Sequence, residues 1–148
     1  MKGQLVIDSS VVVKWFDERE QDSGSALRLL EEFIRGDLQL IVPDLLFYEV
    51  GNVFLKKWPQ EPFKMQKSLK KLWRLPWLLM PLRDSLLNRT LEVADQCGIT
   101  FYDGLFLVTA ENSGVPLVTA DEKFLKRVTE FPFAKSLSAL QGEFGIVA

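Results

Sequence analysis

The chain has 148 residues, 47% of them hydrophobic, which suits one domain with a substantial core, here residues 1–148. It contains no histidine and one cysteine, Cys97, so serine–histidine catalysis, histidine-based zinc sites and a disulfide within the chain are excluded. No apolar run reaches the roughly 18 to 20 residues of a membrane-spanning helix, and no signal-peptide segment opens the sequence, so we expect a cytoplasmic protein without a membrane partner.

The net charge of −2 conceals an uneven distribution of charge along the sequence. Residues 56–83 contain eight basic residues and one acidic residue, a local charge of +7, so the rest of the chain carries −9. A basic segment on an acidic body suggests an anionic partner or a neighbouring acidic surface.

The N-terminal part of the sequence predicts two strands and three helices. These are a strand over residues 4–8, a short helix through Phe16, a helix over 22–36, a strand over 38–42 and a helix over 43–58 that starts at Pro43. In the second helix, Leu27, Leu30 and Ile34 share one face and Gly36 ends the helix.

The remaining sequence continues the alternation of helices and strands. It predicts a helix over 62–73, an extended segment over 77–82, a helix over 84–97, a helix from Thr100 to about Asn112, a strand over 115–119, a short helix over 121–128 and a last strand over 134–138. Such an alternation is typical of an α/β fold with a mainly parallel central sheet sandwiched between helices.

Two acidic residues follow predicted strands. Asp8 comes after "LVI" and Asp121 comes after "LVTA", so both are expected where strands leave the carboxyl edge of the sheet, the usual place for ligands in this fold class. Either residue alone is equally well explained as the N-cap of the helix that follows it.

Two further acidic residues lie within apolar helical segments. Asp103 fits a capping box with Thr100, yet it shares a helical face with Phe106, Leu107 and Ala110. Glu49 lies in the body of its helix, where capping is not available. A buried carboxylate there requires either a basic partner or a metal ion, because burying a lone charge costs several kcal/mol.

The four acidic residues together predict a metal site. Carboxylates that converge in one cleft repel one another unless a divalent cation neutralises them. Because nitrogen and sulfur ligands are nearly absent from the chain, Mg²⁺ or Mn²⁺ is the expected ion. The chemistry of such a site is the activation of water and the stabilisation of charge on a phosphodiester.

Three stretches of the sequence resemble the motifs of a known family. "LVIDSSVVVKWF", "VPDLLFYEVGNVF" and "ITFYDGLFLVTAENSGVPLVTADEKF" are similar, in order and spacing, to PIN-domain ribonucleases, and most of all to VapC-type toxins of type II toxin–antitoxin pairs. The resemblance spans essentially the whole chain, and the last motif is the most specific.

The resemblance implies a fold, an activity and a set of site residues. It implies a metal-dependent endoribonuclease that cuts RNA with Mg²⁺ or Mn²⁺, forms a homodimer and is blocked by a cognate antitoxin. Asp8, Glu49, Asp103 and Asp121 match the acidic set, with Asp8 and Asp103 as the principal metal ligands. Ser10 and Thr119 match the small hydroxyl positions that orient ligands around the metal.

The basic segment, a predicted helical hairpin at about 56–83, contains four large aromatic residues and allows two interpretations. Trp58, Phe63, Trp73 and Trp77 could stack with RNA bases while the lysines bind phosphate. They could equally form core or dimer interface, with Met65, Leu69, Leu72 and Trp73 as an apolar stripe and the lysines extending into solvent.

Two other function classes remain open from the sequence. One is a catalytically silent PIN-like module that binds RNA or protein. The other is a receiver-type phosphotransfer domain, which is disfavoured because it normally needs an acidic pair after the first strand and a lysine after the last strand.

Overall fold

A parallel sheet forms the centre of the molecule. The computed structural model describes residues 3–17 and 19–140, and within them the sheet has five strands in the order β3-β2-β1-β4-β5. The strands are β1 (Gly3–Ile7), β2 (Leu38–Pro43), β3 (Leu78–Met80), β4 (Leu117–Thr119) and β5 (Ala134–Ser136), and every neighbouring pair is parallel. The predicted α/β fold is confirmed.

Seven helices in the described residues flank the sheet. They are α1 (Ser9–Val12), α2 (Ser23–Arg35), α3 (Leu45–Lys57), α4 (Pro62–Trp73), α5 (Asp84–Cys97), α6 (Phe101–Ser113) and α7 (Glu122–Arg127), with short 3₁₀ turns at Val13–Phe16 and Leu137–Leu140. None of these helices is long and apolar enough to cross a membrane. The predicted helix through Phe16 is therefore one α-helical turn continued as a 3₁₀ turn.

The core surrounds the central strands. Leu5, Val6 and Ile7 of β1 are fully buried, which explains why this strand is an unbroken apolar run rather than an alternating one. Helix α6 packs against β1 and β2 and is buried over most of its length, including Phe106. The elements that carry Asp8 and Asp103 are thus fixed against each other by the core.

Two details differ from the sequence-based expectations. Pro43 ends β2, where it pairs with Met80, and the helix begins at Leu45 instead. In α2 the buried face consists of Ala26, Leu29 and Phe33, whereas Ile34 is 60% exposed. Leu27 and Leu30 of the predicted face are partly buried against the core, so the prediction was wrong for Ile34 only. An adjacent stripe with the same helical spacing is buried more deeply, and its Phe33 packs on Trp77 with 4.8 Å between ring centroids.

The aromatic residues of the basic segment have different surroundings. Trp58 stacks on Phe54, and Trp77 contacts Trp15, Phe33 and Phe47, so both belong to the core margin. Trp73 meets Phe47 edge-on although it is 56% exposed, and Phe63 is 76% exposed.

We predict that Phe106→Ala lowers the free energy of unfolding by about 3–5 kcal/mol, because it leaves a cavity beneath α6. Phe63→Ala is the matched control, with an expected change within about 0.5 kcal/mol because the ring is already in solvent. Urea unfolding followed by circular dichroism measures both. A similar loss in the two variants would contradict this description of the core.

Candidate metal centre

Asp8 lies at the point where β1 ends beside β4. Ile7 pairs with Val118, so the next residues along the two strands, Asp8 and Thr119, are adjacent. The carboxyl is 7% exposed, and both of its oxygens accept hydrogen bonds. Oδ1 accepts from the amide of Ser10 at 3.1 Å and from the Ser10 hydroxyl, and Oδ2 accepts from the Thr119 hydroxyl.

Ser10 and Thr119 are themselves anchored by the backbone after β4. The Ser10 hydroxyl oxygen accepts the amide of Ala120 at 2.9 Å, and the Thr119 hydroxyl oxygen accepts the amide of Asp121 at 3.1 Å. The two hydroxyl oxygens are 3.2 Å apart. Because both hydroxyl protons are donated to Asp8 while its carboxyl is ionised, the contact between the two hydroxyl oxygens then has no proton of its own.

Burial raises the pKa of the Asp8 carboxyl from its ordinary 3.8 to about 6. The hydrogen bonds from Ser10 and Thr119 favour the ionised form and lower the pKa, whereas the charges of Asp103 and Asp121 raise it further. Burial dominates, so the metal-free protein holds an ionised Asp8 near neutral pH at a cost.

Glu49 faces Asp8 from the middle of α3. Its half-buried carboxyl accepts a hydrogen bond from the Ser9 hydroxyl at 3.1 Å. Burial raises the pKa of Glu49, the Ser9 hydrogen bond opposes this, and the charges of Asp103 and Asp8 add to the rise. Ser9 was missed by the sequence analysis. The available signal was its place one residue after Asp8, in the first turn of the helix that Asp8 caps.

Asp103 lies in the first turn of α6, with a half-buried carboxyl. The predicted N-cap, Thr100, is confirmed, since its side chain accepts the Asp103 amide at 3.1 Å. Burial raises the pKa of Asp103, the charge of Asp121 raises it further, and the Thr100 side chain lowers it. Asp103 and Asp121 line the same cleft, of about 180 Å³.

Asp121 is the exposed member of the set. It caps α7 through a hydrogen bond from the Phe124 amide to Oδ1 at 3.0 Å. Capping and a place in the cleft are thus compatible for Asp121. Asp8 likewise combines the capping of α1 with its hydrogen bond from Thr119.

Pairwise charge effects connect the four carboxyls. Asp8 is affected by the charges of Asp103 and Asp121, Glu49 by those of Asp8 and Asp103, and Asp103 by that of Asp121. Within residues 3–17 and 19–140, none of the four forms an ion pair, and no three acidic or cysteine side chains are close enough to form a finished metal site. Mutual repulsion opposes a closer approach of like-charged carboxylates, and a divalent cation would offset it.

The donor set fits a hard divalent cation. All four candidate ligands are carboxylates, which suit Mg²⁺ and Mn²⁺ rather than softer metals. Asp8 Oδ1 accepts two hydrogen bonds from the described residues, whereas Oδ2 accepts one and keeps a lone pair for an ion.

We predict that Asp8→Asn stabilises the metal-free protein at pH 7. A carboxyl whose folded pKa is raised stabilises the fold below about pH 4, and this contribution, about 3 kcal/mol, is lost as pH rises through about 6. The asparagine side-chain amide can donate a hydrogen bond to the Thr119 hydroxyl oxygen. The Thr119 hydroxyl can then donate its own hydrogen bond to the Ser10 hydroxyl oxygen. Urea unfolding in chelator across this pH range measures the effect.

The matched control is Asp95→Asn, at an exposed position on α5, which should keep the wild-type pH dependence. An Asp8→Asn profile that runs parallel to the wild-type profile would show that Asp8 is not destabilised by burial.

Comparison with known proteins places these residues in a wider context. Residues 5–130 match the profile of a family described as PIN domain. A curated relative, Exonuclease VapC9 of Pyrobaculum aerophilum, is 30% identical over 97 residues, which cover 66% of this chain and 73% of the relative.

Two solved structures are similar over most of their length. PAE2754 of Pyrobaculum aerophilum superposes with a TM-score of 0.65 and 25% identity, covering 95% of each chain. VapBC2 of Rickettsia felis, solved bound to a fragment of its promoter DNA, superposes with a TM-score of 0.63 and 14% identity, covering 90% of this chain and 96% of the other.

Proposed function

The chain belongs to the PIN-domain family, and from that premise we propose that it is a VapC-type nuclease toxin that hydrolyses RNA phosphodiester bonds with Mg²⁺ or Mn²⁺. The observation that carries the proposal is the buried Asp8 carboxyl, which interacts with the charges of three other carboxyls and forms no ion pair within the described residues. Such an arrangement is unfavourable for stability alone, and a divalent cation relieves it. Because the proposed substrate is cellular RNA, we propose that the protein acts in the cytoplasm.

The four acids take different roles in this proposal. Asp8 and Asp103 are the principal ligands, because Asp8 is fixed by two hydroxyls and Asp103 is fixed by the start of α6. Glu49 and Asp121 complete the anionic cleft. When bound, the cation neutralises charge on the scissile phosphate and lowers the pKa of the attacking water.

Glu49 is the best placed of the four to accept a proton from that water. The Ser9 hydrogen bond holds one carboxylate oxygen, and the half-buried group lies near enough to Asp103 and Asp8 for their charges to raise its pKa. Its raised pKa brings it closer to the working pH, which favours proton transfer by a general base. Ser10 and Thr119 act indirectly, because they fix the orientation of Asp8.

We predict that Asp103→Asn lowers the rate of RNA cleavage at least ~100-fold while the fold remains intact, because it removes charge needed by the cation. Asp95→Asn should leave the rate unchanged. The measurement is single-turnover cleavage of labelled single-stranded RNA with Mn²⁺ or Mg²⁺ and with chelator. Wild-type cleavage in chelator, or full activity of Asp103→Asn, would contradict the assignment.

The same assay separates internal from terminal cleavage. We propose internal cleavage, whereas the name of the curated relative, Exonuclease VapC9, favours exonuclease action as the second candidate. A circular RNA has no ends, so an endonuclease opens it and an exonuclease leaves it intact. RNA binding without cleavage of either the linear or the circular substrate would instead identify a catalytically silent module.

We also propose a protein partner, an antitoxin, that docks between α3 and α4. An open apolar groove of about 600 Å³ lies there, lined by residues that include Tyr48, Leu55 and Met65. Tyr48 and Leu55 are more than half exposed, which is unusual for large apolar residues without a partner. Four lysines on α4 favour an acidic amphipathic segment as the occupant.

A homodimer is the remaining partner proposal. Exposed leucines on β3, after it and on α5 form its candidate surface (Leu78, Leu79, Leu82, Leu87 and Leu91). Light scattering of the purified chain should give twice the 17.0 kDa chain mass, and Leu87→Lys/Leu91→Lys should give the monomer mass. A wild-type monomer at micromolar concentration would reject the dimer.

A further inference from the structure

A basic groove adjoins the acidic cleft. It has a volume of about 540 Å³ and is lined by Cys97 at the end of α5 and by Lys123, Lys126 and Arg127 of α7. Lys123 and Arg127 also line the cleft that contains Asp103 and Asp121. The two depressions therefore share a wall, and we refer to the basic one as the α7 groove.

Gly98 shapes the boundary between the groove and the cleft. It ends α5 with a φ of +66°, a conformation that favours glycine. A Cβ at this position would lie 3.1 Å from Nη1 of Arg127, so the absent side chain leaves room for the guanidinium against the backbone. Arg127 is thereby kept along the groove.

The cations of the α7 groove remain available to a ligand. Within the described residues, Lys123, Lys126 and Arg127 form no ion pair, whereas Arg35, Lys57 and Arg89 are each paired with a carboxylate. All three groove cations are exposed. Asp121 lies nearby, but its Oδ1 accepts the Phe124 amide instead of a cation.

We propose that the α7 groove binds the RNA backbone phosphates next to the scissile phosphate. The inference rests on the proposed nuclease function and assigns a path to its substrate. Carboxylates in the cleft repel an approaching strand, and adjacent unpaired cations supply the attraction that brings a phosphodiester to them. A positively charged groove that follows the backbone is the usual arrangement for single strands.

The other basic surface, on α4, serves as the internal comparison. Its cations carry the same charge but do not line the cleft of Asp103 and Asp121. Binding by general electrostatic attraction would depend equally on both surfaces. Binding of phosphates beside the scissile bond would depend on α7.

The test compares Lys123→Gln/Arg127→Gln with Lys70→Gln/Arg74→Gln, a control that removes one exposed lysine from α4 and the exposed arginine that follows this helix. Fluorescence anisotropy with a short single-stranded RNA in chelator gives affinity against salt concentration. Cleavage with Mn²⁺ gives KM and kcat, and thermal unfolding confirms that each variant is folded.

For the α7 variant we expect about tenfold weaker binding of RNA. The slope of log K against log salt concentration should become shallower by about 1.4, the contribution of two phosphate contacts on a single strand. KM should rise about tenfold with kcat within about twofold. The α4 control should stay within about twofold in both quantities.

Equal losses in the two variants, or an unchanged α7 variant, would overturn the inference. If the wild-type chain cleaves RNA and the α7 variant has the same affinity and KM, the proposed role of the α7 groove is rejected and the nuclease proposal stands. If the wild-type chain does not cleave RNA but the α7 variant loses binding, the groove stands as a site for RNA phosphates and the nuclease proposal fails.

Discussion

The structure depends on one unfavourable feature, the burial of the Asp8 carboxyl at the carboxyl edge of a parallel sheet. The β1–β4 register brings this group against Thr119, and the turn into α1 brings it against Ser10. These two hydroxyls fix its position but do not cancel the cost of burial, since the pKa remains raised to about 6. A group held in place at a cost to stability is characteristic of a functional site.

The surroundings of the cleft divide the electrostatic roles between elements. The end of β1, the middle of α3 and the start of α6 contribute negative charge. Helix α7 contributes both a carboxylate at its cap and unpaired cations on its exposed side. An ion and an anionic strand can therefore be attracted to adjacent places on one small surface.

Much of this organisation could be predicted from the sequence. The unbroken apolar run that precedes Asp8 indicates a central parallel strand, and Glu49 inside a helix has no capping role, so the local sequence around both residues already indicates a site. Thr100 and Gly36 likewise mark helix ends by local chemistry, and the structure confirms both. These predictions depend on interactions within a few residues of the chain.

The rest depends on contacts between distant segments. The buried face of α2 is chosen by the packing of Phe33 on Trp77, which local periodicity cannot distinguish from its neighbour. The hydrogen bond from Ser9 to Glu49 joins residues forty positions apart, and it identifies Ser9 only after α1 and α3 are placed. The cations of α7 similarly gain significance from Gly98 and the cleft beside them.

The central claim is that a divalent cation draws the carboxyls around Asp8 together. The most direct measurement is anomalous diffraction from crystals soaked with Mn²⁺. We expect a manganese peak in contact with Asp8 Oδ2 and a carboxylate oxygen of Asp103. Crystals that show manganese bound elsewhere, with both carboxylates free of it, would contradict the account.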